Sequence, residues 1–108
     1  MKNLATQEEF EILLGKGNNQ YDLPALTVIW FSAAWCGPCR NVDIKRLQEL
    51  FPANWLKCDI DQNDYTPGYC GIRSVPTFLV VYKTKIVGNI SSSTTNEILN
   101  YLQNIQLK

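Results

Sequence analysis

"ALTVIWFSAAWCGPC" (residues 25–39) runs an apolar segment straight into two cysteines separated by Gly-Pro. From Ala25 to Phe31 the residues are continuously apolar apart from Thr27, and rich in β-branched and aromatic types. Such a run reads as a central strand buried on both faces. Residues 36–50 then carry Val42, Leu47 and Leu50 among polar neighbours and stop before Phe51-Pro52, which predicts a helix beginning at the first cysteine. A thiol at a helix N-terminus meets free N–H groups and the positive end of the dipole, so its thiolate is favoured. Cys36 is therefore the candidate nucleophile. Cys39 lies about one turn on, within reach of a mixed disulfide formed at Cys36, and is the candidate resolving thiol. Pro38 suits a first helical turn, where its missing N–H costs little, and Gly37 leaves room for another backbone beside the sulfur.

Outward from this stretch, helical and strand patterns alternate, the mark of an α/β protein. Thr6 and Glu9 form a capping-box pattern ahead of Phe10, Leu13 and Leu14, predicting a first helix that ends at the glycines 15 and 17. Residues 15–24 read as a loop and "NWLKCDI" (54–60) as a strand. A turn-rich stretch with a short helix follows, then "TFLVVY" (77–82) and "KIVGNI" (85–90) as a hairpin turning near Lys83 and Thr84. Thr94 and Glu97 repeat the capping box, ahead of an apolar stripe at Ile98, Leu102 and Ile105.

The 108 residues, 45% hydrophobic, suit a single domain over 1–108. Ten basic residues cancel ten acidic ones without a run of like charge, which argues against nucleic acid or a membrane surface as partner. The apolar run at 25–36 is too short to span a bilayer. "MKNLATQEEF" lacks the apolar core and cleavage site of a secretory signal, so the expected location is the cytoplasm. In that compartment four cysteines point to redox or metal chemistry. Zinc on Cys36, Cys39, Cys58 and Cys70 is disfavoured: the last two are too far apart in sequence for a tight pair, and there is no histidine. Cys58 alternates with Leu56 and Ile60 as a buried small hydrophobe, and Cys70 reads as inert rather than as a sensor thiol. Asn89-Ile90-Ser91 matches a glycosylation acceptor, a triplet without meaning unless the chain is secreted.

"AAWCGPC", "KCDIDQN" and "GIRSVPTF", followed by the hairpin and last helix in this order, resemble the thioredoxin family over nearly the whole chain. The resemblance implies a central mixed β-sheet flanked by helices, with Pro76 as a cis-proline facing the dithiol. It also implies a monomeric thiol-disulfide oxidoreductase that reduces protein disulfides, is regenerated by a thioredoxin reductase or other electron donor, and needs no cofactor or metal. Trp35, Gly37, Pro38, Ile60, Val75 and Pro76 would form the substrate-docking surface, with Trp35 half-exposed and the Val75 backbone pairing with an extended substrate segment. The alternative is a binding module of the same fold that does not use its thiols.

Five positions depart from the family pattern. Where the family carries a buried aspartate six residues before the nucleophile, this chain has Trp30, whose N–H donates and cannot accept a proton. Lys57 matches the lysine beside that acid and needs either solvent or a new partner. Asp43 stands one position before Ile44, which replaces the family's usual proline. On one continuous helix Cys36, Cys39 and Asp43 would share a face, making Asp43 a candidate base for Cys39 and charge partner for Lys57. Otherwise it is a solvated residue of little energetic weight, paired with Lys57 or Arg46. Ser74 and Ser92 take positions near the groove that are often glycine in the family, and would narrow it.

Overall fold

The computed structural model describes residues 1–16 and 23–107. Most of the 15–24 loop lies outside the described residues. The elements are β1 (Lys2–Asn3), α1 (Gln7–Leu13), β2 (Leu26–Ser32), a 3-10 turn (Pro38–Asn41), α2 (Ile44–Leu50), β3 (Asn54–Asp59), α3 (Tyr65–Tyr69), β4 (Thr77–Tyr82), β5 (Lys85–Ser91) and α4 (Thr95–Asn104). Among the described residues the strands form one sheet in the order β1-β3-β2-β4-β5. β1 and β2 run parallel to β3, while β4 is antiparallel to β2 and β5 to β4. This is the mixed sheet that the family resemblance implies.

β2 is central because both of its faces are apolar. Ile29 and Phe31 join Phe10 of α1, Leu79, Cys58 and Leu4 in one core layer. Val28 joins Leu47 of α2, Phe78, Trp55, and Ile98 and Leu102 of α4 in the other. The period-2 alternation of a strand thus serves two helical layers at once. β5 approaches α4 so closely that a Cβ at residue 88 would run into the Tyr101 hydroxyl, which is why glycine stands there. The hairpin turns through Lys83 (φ 49°) and Thr84 (φ 68°), both left-handed, a geometry that matches the twist of the flanking strands.

Two expectations are corrected, and one strand was not foreseen. The helix predicted over 36–50 is two pieces: the 3-10 turn ends at Val42, whose backbone is extended (φ −83°, ψ 127°), and α2 starts at Ile44 with Asp43 as its N-cap. Two tertiary demands break it. Val42 is buried in the α2/α4 layer, and the Asp43 N–H donates to Thr95 Oγ1 of α4 at 2.9 Å. The capping box at Thr6 forms, with Glu9 N–H donating to Thr6 Oγ1 at 3.2 Å, whereas Thr94 makes no side-chain cap. Ser92 acts instead, accepting from Thr94 N–H and donating to the Glu97 carboxylate. The two-residue strand β1 was not legible in the sequence, since its pairing to β3 is long-range and it is too short to show a period.

Candidate active site

β2 ends at Ser32, and the next residues fold into a turn in which Cys36 N–H donates to Ala33 O (3.1 Å). That turn sets Cys36 at the foot of the 3-10 turn, where Pro38 occupies an early position. Cys36 and Cys39 are joined by a disulfide with their Cα atoms 5.4 Å apart. The Cys39 N–H donates to Cys36 Sγ at 3.1 Å. A backbone donor aimed at a sulfur favours its charged form, so the thiolate-stabilising role expected of a helix start is supplied by a single tight turn. Both cysteines are 3% exposed, within a small cluster formed with Ala33 and bordered by Trp30, Ile60 and Val75.

The residues named from sequence converge around this bond. Gly37 and Pro38 are exposed beside it, and a Cβ at Gly37 would meet nothing within 4 Å. Val75-Pro76 is a cis peptide bond, with Pro76 buried at the start of β4. Trp35 is 65% exposed and its indole N–H donates to Asp61 Oδ2 at 2.9 Å. That partner is a residue sequence reasoning missed, although it lies in "KCDIDQN"; the turn there is tied by Asp61 N–H donating to Asp59 Oδ1 (2.9 Å). An apolar hollow of about 330 Å³ opens between Trp35, Ile60, Pro67, Ile72 and Val75. Across Val75 a shallower depression of about 210 Å³ is lined by Pro38, Pro76 and the hydroxyl-bearing Ser74, Ser91, Ser92 and Ser93.

Asp43 does not take the role expected of it, and Lys57 has a different partner. Because the helix is broken, Asp43 shares no helical face with Cys36 and Cys39; it is exposed, and its Oδ1 accepts from Arg46 N–H at 3.1 Å. It is a helix cap. Lys57 sits directly opposite Trp30 in the β2/β3 ladder, and its Nζ lies 5.1 Å from the centroid of the Trp30 ring. A cation over an indole is worth about 0.5–2 kcal/mol, so the half-buried ammonium has found its partner in the residue that replaced the acid.

Cys58 and Cys70 belong to a different environment. Cys58 is fully buried and Cys70 half-buried, both in the α1/α3 layer, and both are free thiols. Burial pushes the Cys58 thiol up to about 12, with Asp59 and then Cys70 adding smaller electrostatic contributions, and burial alone lifts Cys70 to about 11. Among the described residues no group of three or more Cys, Asp or Glu side chains is placed to hold a metal ion.

The thioredoxin family model matches residues 3–104 of this sequence, across the sheet, the dithiol and the cis-proline. The chain belongs to the thioredoxin family. Thioredoxin from Listeria monocytogenes is 36% identical over 83 residues, spanning 73% of this chain and 79% of that protein. Thioredoxin from Haemophilus influenzae is 31% identical over 87 residues, spanning 75% and 78%. The solved structure of Fasciola hepatica thioredoxin superposes with a TM-score of 0.81 at 28% identity, covering 98% of this chain and all of that one. As a thioredoxin-family member with a C-x-x-C pair at disulfide distance, the chain is a thiol-disulfide oxidoreductase.

Proposed function

We propose that this thioredoxin-family chain reduces protein disulfides, with Cys36 as nucleophile and Cys39 as resolving thiol. The observation that carries the assignment is the Cys39 N–H aimed at Cys36 Sγ. In the reduced chain the Cys36 thiolate attacks one sulfur of a substrate disulfide; the substrate S–S bond breaks, and its other sulfur leaves with the electron pair and takes a proton. Cys39 then attacks Cys36 Sγ, closing the bond present in the structure and releasing the second substrate thiol. Two electrons pass to the substrate, and a separate reductase or reduced partner must return them.

The apolar hollow beside Trp35, Ile60 and Val75 offers a seat for an extended substrate segment running along the Val75 backbone. Ser74 and Ser91–Ser93 give the other wall hydroxyl groups, which favours substrates carrying polar residues there. A reducing compartment such as the cytoplasm fits the free thiols at Cys58 and Cys70, and a single copy of the chain supplies both reacting cysteines.

Insulin reduction with dithiothreitol, wild type beside Cys36→Ser, tests the reading. Turnover in the wild type and none in the variant is expected. Equal behaviour of the two in that assay, with a partner still bound by the variant, would favour a module that does not use its thiols.

A further inference from the structure

Trp30 borders the dithiol cluster with an indole donor left unused among the described residues. Its Nε1 is buried and has no hydrogen-bond partner among the described residues, a situation protein interiors rarely leave uncompensated. The other two indoles are satisfied: Trp35 by Asp61, and Trp55 by the Phe51 carbonyl at 2.9 Å. The Trp30 ring is also held by its neighbours. Phe78, its cross-strand partner on β4, stacks on it at 6.3 Å with the planes 5° apart, and Lys57, its partner on β3, places its ammonium over the ring. The indole so held packs against the small cluster that contains Ala33, Cys36 and Cys39.

We infer that Trp30 is a positioning residue of the exchange reaction: its N–H, unused while the disulfide is closed, donates to the Cys39 sulfur once the bond is reduced, and its ring holds the Lys57 ammonium at the same site. The inference rests on the reading of Cys39 as the resolving thiol. A disulfide sulfur is a weak acceptor, whereas a thiolate accepts charge-assisted hydrogen bonds of about twice the usual strength. A carboxylate at position 30 would help Cys39 by taking its proton; an N–H and a nearby cation help by stabilising the thiolate after the proton has gone to water. The Cys39 thiolate then bonds to Cys36 Sγ, the bond from Cys36 to the substrate sulfur breaks, and that sulfur leaves with the electron pair and recovers a proton from water.

The charged groups around the indole agree with this. From β3, Lys57 contacts the ring, while Asp59 on the same strand face turns Oδ1 to the Asp61 N–H. Arg40 of the 3-10 turn donates to Ala34 O, Asp43 caps α2, and β4 presents the uncharged Phe78. Cys36 is the neighbouring titratable thiol.

The test needs no mutation at first: record the indole ¹H–¹⁵N resonances of the full chain, disulfide and reduced, across roughly pH 6 to 10, and follow Cys39 through its ¹³Cβ shift. The Trp30 indole proton should move downfield on reduction and track Cys39 ionisation, while Trp55, bonded to a carbonyl, stays in place. Trp30→Phe keeps an aromatic seat for Lys57 but lacks the N–H; it should raise the Cys39 pKa by about one unit and slow release of a mixed disulfide about tenfold at neutral pH. A Trp30 indole proton indifferent to redox state, or a Trp30→Phe protein whose Cys39 titrates as in the wild type, overturns the inference. Failure of the exchange reading shows separately, as a wild-type chain that leaves insulin intact.

Discussion

Cys36 and Cys39 share a chain with Cys58 and Cys70, and the two pairs differ in nearly everything except the sulfur. The first pair sits in a turn at the end of β2, where a backbone N–H points at one sulfur and an apolar hollow opens alongside. The second pair is packed into the α1/α3 layer beside Phe10 and Leu79, where burial raises both thiols far above their ordinary value of 9.0. Burial alone does not separate them, since Cys36 and Cys39 are also only 3% exposed. What separates them is the polar environment given to the charge that the sulfur must carry.

The sharpest way to break this comparison is to exchange the reactive thiols for hydroxyls. Cys36→Ser should lower insulin reduction by at least about three orders of magnitude, since the remaining chain lacks its nucleophile. Cys39→Ser should retain the first attack and accumulate a mixed disulfide with substrate, visible as an added mass that dithiothreitol removes. If either of the buried cysteines sustained turnover in these variants, the contrast would fail.

Next in size is the behaviour of the buried pair with pH. Their folded-state pKa values lie above the ordinary 9.0, so they favour the folded chain fully below about pH 9 and lose that contribution as pH rises toward about 11 for Cys70 and about 12 for Cys58. Denaturant midpoints should therefore fall with rising pH in this window, and Cys58→Ala should flatten the decline. In the reduced chain at pH 8, iodoacetamide should modify Cys36 in preference and spare Cys58 and Cys70 until the fold opens, as peptide mapping would show. Cys58→Ser should cost about 1–3 kcal/mol, because the hydroxyl would be fully buried with the nearby Asn63 carbonyl, 3.8 Å from the native sulfur, as a distant acceptor.

The smallest effect is expected at Asp43, and it sharpens the comparison by testing what lies outside the reactive environment. Asp43→Ala should remove the cap on α2 and lower stability by about 1 kcal/mol in urea unfolding, while Asp43→Asn, which still caps, should be close to neutral. Both should turn over insulin within about twofold of the wild type, since the Asp43 carboxylate is bound to the α2 backbone rather than to either thiol. A severalfold loss at low pH in Asp43→Asn alone would restore the base that the broken helix removes.

Much of this molecule was legible along the chain. A two-faced apolar run followed by Cys-Gly-Pro-Cys announced β2 and the dithiol, and Thr6 with Glu9 announced the start of α1, because a strand period, a cap and a turn depend on residues a few positions apart. The helix predicted through residue 43 was wrong for a reason no local pattern carries: Val42 is wanted by a core built from β4 and α4, and Thr95, far along the chain, takes the Asp43 amide. Lys57 had lost an expected acid, and only the register of β3 against β2 shows that the indole of Trp30 received it instead. Residue types and spacing thus determined most of the elements and which two sulfurs pair. Tertiary packing decided which groups surround those sulfurs, since the partners of a buried charge or donor come from strands and helices distant in sequence.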